Sequence, residues 1–352
     1  MRGNIINLNE ARRINDEVFA EWTIRLAPEP GDLLFAREAP VGPVVEIPKG
    51  LSIAPGQRTM LLRADPTKAV SRFLRYYLIS PATQARLHAL AHGSTVPHLR
   101  LPVVRNFEVS LPELPAQKAI AEVLGALDDK IAVNDRIAST AETLARTLLA
   151  NLRPSVPLSD IVTHARNSLM PAKLGTPTIA HFSLPAFDSD QLPEFCHPDT
   201  IKSNKFHVKN PSVLISKLNP RFPRVWDLSS LPDEPAVTST EFLVLEPRHS
   251  STSVLWAILR QETFARALES KVSGTSGSHQ RVKPSDLLAT EVIDPRSIGK
   301  DVQLAISSLS ETAVNSRSEN SDLAKTRDVL LPQLMSGRLQ VKDAEVIVES
   351  AM

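Results

Sequence analysis

The chain has 352 residues, with 40 basic and 39 acidic side chains giving a net charge of +1, and it is 42% hydrophobic and 22% charged. That length has room for two separate cores, and the balance excludes both a disordered chain and a histone-like basic protein. The single Cys196 suits a reducing cytoplasm and excludes a disulfide framework, residues 1–13 lack an apolar signal-peptide core, and apolar runs such as 254–259 are too short to span a bilayer.

Proline punctuates the chain, outnumbering glycine 28 to 12. Prolines are absent between Ala116 and Arg153 and again between Arg296 and Leu331, and long helices fit only such windows. The expected order is therefore a mixed α/β globule over 1–112, a helix over 113–153, a second globule over 154–296, a second helix over 297–341 and a tail over 342–352. In the globules, 73–87 and 254–268 read as helical, while Ser212–Ser216 and 241–245 read as strands bounded by Pro, Gly and Asn.

The first long helix starts near Pro115, tolerated in a first turn whose N–H groups are unpaired anyway. Ile120, Leu124, Leu127, Ile131, Asn134, Ala138, Ala141, Ala145, Leu148 and Leu152 recur in steps of four and three, the spacing of a narrow coiled-coil seam. The second helix carries a weaker series: Val302, Ile306, Leu309, Ala313, Ser316, Asn320, Leu323, Leu330 and Leu334, ending near Pro332 and Gly337. Seams this narrow need partners. The economical expectation is an antiparallel pair with a globule at each end and Asn134 fixing register; the alternative docks each helix on its own globule.

The two halves repeat. At an offset of 181, Pro30-Gly-Asp-Leu-Leu-Phe lies on Pro211-Ser-Val-Leu-Ile-Ser, 73–87 lies on 254–268, and Ala132-Val-Asn-Asp-Arg lies on Ala313-Val-Asn-Ser-Arg. Gly93-Ser-Thr-Val-Pro-His-Leu-Arg lies on Gly274-Thr-Ser-Gly-Ser-His-Gln-Arg, matching His98 to His279 and Arg100 to Arg281. After a two-residue shift, Glu108-Val109 and Pro112 meet Glu291-Val292 and Pro295. About 26 residues at the front of the second globule have no counterpart. The fold class expected is α+β: one domain type used twice on paired long helices.

The small net charge hides local excess. Residues 1–112 carry 14 basic and 10 acidic side chains and 153–296 carry 16 and 15, whereas 113–152 carry 4 and 6 and 297–352 carry 6 and 8. Between Asp65 and Glu108 there is no acid, yet Lys68, Arg72, Arg75, Arg86, Arg100 and Arg105 fall there. Between Asp199 and Asp227 the acid-free stretch holds Lys202, Lys205, Lys209, Lys217, Arg221 and Arg224, and 270–285 holds Lys271, Arg281 and Lys283. Such windows are the electrostatic footprint expected for nucleic-acid phosphates; solvated surface is the plainer alternative. A helix of about 38 residues extends ~57 Å at ~1.5 Å per residue, against ~34–36 Å for one turn of duplex DNA. The globules differ at matched positions (Asn219, Pro220 and Arg221 lie on Glu38, Ala39 and Pro40), so they should read different half-sites.

Catalytic patterns are missing. There is no Asn-Pro-Pro-aromatic or Asp-Pro-Pro-aromatic tetrapeptide, no G-x-x-x-x-G-K-[ST] loop and no G-x-G-x-x-G. His88 and His92, four apart, and Cys196-His197 with His181 and His207 are weak metal sets that read better as packing or surface. Asp233, Glu269 and Lys271 form a faint nuclease-like series with too long a gap.

The run Leu111-Pro-Glu-Leu-Pro-Ala-Gln-Lys-Ala-Ile-Ala-Glu-Val-Leu-Gly-Ala-Leu-Asp-Asp-Lys-Ile, followed by Asn134 and Arg136-Ile137, resembles the junction of recognition domain and central helix in specificity subunits of type I restriction–modification systems. Gly93-Ser-Thr-Val-Pro-His is similar to that family's closing loop, and Leu330-Leu-Pro-Gln-Leu-Met-Ser-Gly-Arg-Leu to the end of its distal helix. The resemblance implies a non-catalytic subunit with two target-recognition domains reading a bipartite double-stranded DNA site. It also implies two docked modification (methyltransferase) subunits and, in the full complex, restriction/translocase subunits. S-adenosylmethionine, ATP and magnesium would then belong to those partners, with no cofactor or metal in this chain and no membrane contact. The expected DNA-binding residues are Arg72, Arg75, Arg86, Arg100, Lys202, Lys205, Lys209, Lys217, Arg221, Arg224, Arg281 and Lys283, with Arg100 and Arg281 foremost. Ile120, Leu124, Leu127, Ile131, Asn134, Leu148, Leu309, Leu323 and Leu330 would pack the helices. The rivals are a protein-interaction adaptor and a stand-alone nuclease using Asp233, Glu269 and Lys271.

Overall fold

A computed structural model describes the chain apart from residues 1–3, 5, 7, 9, 10, 94, 95, 222 and 272–279. It divides into two compact units, Met1–Ala132 with Ser321–Met352, and Val133–Asn320. Each unit therefore holds one globule, a stretch of the first long helix, Leu114–Thr147, and a stretch of the second, Lys300–Met335.

In the first unit, Leu33–Arg37 runs between Val41–Glu46 and Thr59–Leu62 in an antiparallel sheet. Its Leu33, Leu34, Phe35 and Ala36 are all buried, as the continuous apolar run requires of a strand covered on both faces. The helical stretch 73–87 is two helices, Ser71–Ile79 and Pro81–Ala89, because Pro81 cannot donate into a continuing helix but is suited to start the next. Phe73 and Tyr76 join Ile120, Leu124 and Leu127 of the first long helix and Leu323, Leu330, Leu331 and Leu334 of the second in one core. The expected tail is instead a helix, Val341–Ala351, whose Ala344 and Val348 enter that same core. The second long helix stops where Gly337 takes the left-handed conformation (φ 70°), donating its N–H to the Leu334 carbonyl.

The second unit has two sheets. One is antiparallel, ordered Val225–Leu228, Ser212–Ser216, Phe242–Pro247, Val162–Ala165. The other is mixed, ordered Ser168–Leu169, Lys205–Val208, Ala236–Thr238, Ile179–Phe182, Glu194–Cys196. Between them, Trp226 stands edge-on to Phe182 at 4.9 Å. All eight residues of helix Thr252–Leu259 are buried, which is why its sequence is apolar on every side. Against it pack Ala145 of the first long helix, Leu149 just beyond its end, and Ile306 of the second.

The repeat is legible in the structure. Ser71 and Thr252, 181 apart, both open the first helix after the sheet, and strand order agrees across the three shared strands. The unmatched front of the second globule supplies Val162–Ala165, which extends one sheet, and Ser168–Leu169 and part of Ile179–Phe182, which join the other.

The seam holds in both units. Ile120, Leu124, Leu127, Asn134, Ala138, Ala141, Ala145, Leu323 and Leu330 are buried, and Ile131 and Leu309 are partly buried against the cores. Asn134 donates to the Glu319 carboxylate at 2.8 Å, and Ala138 and Ala141 face Ala313. One seam residue needs correcting. Leu148 is 45% exposed and Leu149 fully buried, because the helix ends at Thr147 and its last turn tightens, Leu149 N–H bonding back three residues to Arg146.

Candidate nucleic-acid interface

In the second unit, two acid-free windows meet. The loop at 217–221 leaves strand Ser212–Ser216, and the segment 280–283 precedes helix Pro284–Leu288. Their backbones are tied: Asn219 N–H donates to Gln280 O (2.9 Å), Val282 N–H to Lys217 O (3.1 Å), and Leu218 bridges Arg281. Asn219 holds φ at 51°, a left-handed conformation that asparagine tolerates better than most residues. The tie brings Lys217, Arg221, Arg281 and Lys283 to one end of the sheet. Arg221 and Lys283 are exposed, and half-exposed Arg281 is held by Glu241 through Nε and Nη2, both at 3.2 Å.

The same end gains basic residues that lie outside the three acid-free windows. On strand Val162–Ala165, His164 accepts from Arg166 Nε at 3.1 Å; burial, then the charges of Arg166 and Lys217, holds its pKa below the ordinary histidine value. Residues 161–187 contain no acid, a signal that would have found Arg166.

The first unit has the same construction with different chemistry. Glu38 bridges His98, Leu99 N–H donates to Arg37 O (2.8 Å), and Ala39 takes φ 48° where the second unit has Asn219. Arg100 is the N-cap of helix Leu101–Arg105, as Lys283 is of Pro284–Leu288. The offset is thus 183 here, so Arg100 corresponds to Lys283 and His98 to Arg281, correcting the pairing of Arg100 with Arg281. His279 and most of its loop lie outside the described residues. Arg100 itself is exposed.

Several of the expected arginines are already engaged inside the protein. Arg72 forms a two-pronged pair with Asp129 (2.6 and 2.9 Å) and donates to the Gly125 carbonyl; a Cβ on Gly125 would meet the Arg72 guanidinium at 2.8 Å. Arg75 bonds Asp128 at 2.8 Å, which also accepts from Tyr76 Oη (2.7 Å) and Arg327 (2.9 Å). Burial works to raise the Asp128 pKa, but Arg75, Arg327 and Tyr76 outweigh it and hold the carboxyl below the usual range. Arg86 donates to Glu108 O and lies over the Phe107 ring at 4.5 Å. Arg224 pairs with Asp188 at 2.6 and 2.8 Å.

The remaining lysines lie by the mixed sheet. Lys202 and Lys209 are exposed, and Lys205 donates to Ser203 Oγ, its pKa depressed by burial. His88 and His92 do not share a helix face, since the helix ends at Ala89 and His92 pairs through its backbone with His98. His197 Nδ1 accepts from Asp199 N–H, closing a turn. Lys271 donates to Asp286 O and Thr290 Oγ1, tying the chain after Glu269 to helix Pro284–Leu288. Among the described residues no three His, Cys, Asp or Glu side chains gather as a metal-binding group, and no helix is long and apolar enough to cross a membrane.

Sequence and structure comparisons agree with one another. Residues 24–143 match the family described as the type I restriction modification DNA specificity domain. The chain is 23% identical, over 94% of its length and 83% of the relative's, to the type I restriction enzyme MjaIX specificity subunit of Methanocaldococcus jannaschii. A 66-residue stretch, 19% of this chain and 16% of the relative, is 38% identical to the MjaVIII specificity subunit of the same organism. In fold, the chain matches the S subunit of a type I restriction–modification system from M. genitalium with a TM-score of 0.50, covering 87% of this chain and 83% of that one at 16% identity.

Proposed function

We propose that the chain is a specificity subunit of a type I restriction–modification system, a reading supported by the family match over residues 24–143 and by the MjaIX relative, and that its two globules read a bipartite duplex DNA target to which it carries modification subunits. Recognition of a DNA target is the part this family takes, and the chemistry belongs elsewhere in the complex. S-adenosylmethionine, ATP and magnesium are assigned to the methyltransferase and restriction partners.

The observation that carries the reading is the joining of loops 217–221 and 280–283. Residues distant in sequence and rich in cations converge at one end of the sheet, where phosphates can be held while polar side chains of the same loops reach base edges. Arg100, Lys217, Arg221 and Lys283 are assigned to phosphate contact, with Lys202 and Lys209 as peripheral cations. Arg72, Arg75 and Arg224 are assigned to holding the globules together through Asp129, Asp128 and Asp188.

For the modification subunits the first long helix offers a second surface. Val133, Ile137, Leu144 and Leu148 are all exposed and recur in steps of four and seven, so they form one apolar stripe turned away from the buried seam. Leu148 is accordingly assigned to a partner rather than to the spacer. Sequencing of methylated bases in cells expressing this chain with its cognate modification subunit tests the proposal. A split methylation motif that vanishes on deleting this chain is expected; methylation that persists without it, or an undivided motif, would refute it.

A further inference from the structure

In the second unit, four arginines share one neighbourhood on the joint between globule and helices. Arg260 caps the C-terminus of helix Thr252–Leu259 and donates to the Pro223 carbonyl at 3.2 Å, beside Arg224. The next residue, Gln261, donates to the Arg146 carbonyl at 3.0 Å. Arg317, on the second long helix, pairs with Glu142 on the first. Burial holds the Arg260 pKa below the ordinary arginine value, with Glu142 opposing the fall and the charges of Arg146 and Arg317 adding to it.

Charge is not balanced here. The named carboxylates are Glu142, on Arg317, and Asp188, on Arg224, so four guanidinium groups face two acids. Nε of Arg146, Nε of Arg260 and Nη1 of Arg224 are buried without a hydrogen-bond partner. A buried charged donor lacking a partner costs more than almost any other polar defect, unless a ligand completes it. Pro223 and Arg224 also continue directly from the loop 217–221, so the cluster extends the basic end of the sheet onto the long helices.

We infer that Arg146, Arg260 and Arg317 form a binding site for backbone phosphates of duplex DNA lying beyond the bases that the second globule reads. Two excess positive charges match two phosphodiesters. The helix stretches of this unit then grip duplex flanking the second globule's own target, with no preference for its sequence. This inference rests on the DNA-recognition reading.

The test uses the full chain with its modification subunit and a duplex containing the methylated motif. Arg146→Gln and Arg317→Gln should each flatten the log–log salt dependence of binding by about 0.9 for each phosphate no longer neutralised, leaving the methylation motif unchanged. Methylphosphonate linkages at the affected positions should weaken wild-type binding and leave the double variant indifferent. Slopes equal to wild type in folded variants would overturn the site. Should the arginine variants melt early, Glu142→Gln decides: deleting the cluster's acid should tighten binding at least several-fold, whereas unchanged or weaker binding would make the cluster purely structural. If the wild-type complex itself shows no salt-dependent duplex binding, the recognition reading fails first; if it binds and only these variants are silent, the phosphate site alone fails.

Discussion

The two globules meet their long helices at matched positions with opposite chemistry. In the first unit, Arg75, Tyr76 and Arg327 converge on Asp128, and Arg72 grips Asp129. In the second, 181 residues on, Trp256, Ala257, Leu309 and Ser310 stand where Arg75, Tyr76, Asp128 and Asp129 stand in the first. There, Trp256 is buried with its indole N–H on the Val225 carbonyl, and Leu309 packs against the same core. One topology therefore tolerates either an ionic or an apolar contact at these matched positions. The ionic version removes arginines from the surface, while the apolar version leaves the cations of its loops free of that duty.

Removing either joint should produce the largest losses. Asp128→Ala would strand Arg75 and Arg327 in a half-buried site and cost about 3–5 kcal/mol in denaturant unfolding. Trp256→Ala should cost a similar ~3–5 kcal/mol. A loss under about 1 kcal/mol at either position would break the comparison.

Acid sharpens it. The Asp128 pKa is depressed in the folded protein, so its contribution is present above the unfolded carboxylate value of about 3.9 and is lost as pH falls through the lower, folded value. Asp128→Asn should flatten the acid limb of a stability–pH curve. Asp227, in the second unit, is shifted the other way: burial raises its pKa against the opposing hydroxyls of Thr252, Ser253 and Ser310. The stability it favours is present below the unfolded value and is lost as pH rises through the raised one. Asp227→Asn should therefore stabilise at neutral pH, by less than the Asp128→Ala loss, and change little in acid.

The smallest effect is expected at Gly125. Alanine gains about 1 kcal/mol of helix propensity, offset by pushing the Arg72 guanidinium off its carbonyl. A net change within ~1 kcal/mol is expected, with the Arg72–Asp129 coupling in a double-mutant cycle reduced. Undiminished coupling would separate Gly125 from that contact.

How much of this was legible depends on range. The seam through Leu124, Leu127, Asn134 and Leu323 is a local period and survives into the structure, failing only at Leu148, where the last turn tightens. The halves were visible because Ser71 and Thr252 keep one offset, but the shift to 183 at Arg100 and Lys283 was hidden by unlike residues. Charge counting found Lys217 and Lys283 without showing that they meet. It grouped Arg72 and Arg75 with them because the neutralising Asp129 and Asp128 lie more than fifty residues away. Acid-free sequence is not acid-free surroundings. The tail helix Val341–Ala351 escaped because only two of its residues, Ala344 and Val348, are fully buried.

The most direct measurement compares duplex binding, across salt concentrations, by the chain and its modification subunit with and without Lys217→Gln, Arg221→Gln and Lys283→Gln combined. With three phosphates no longer neutralised, the log–log slope should flatten by about 2.7, while an equivalent triple change at Arg72, Arg75 and Arg86 should lower stability and leave the slope of the folded fraction unaltered. An unchanged slope in the loop variant, or an equal flattening in the arginine variant, would contradict the account.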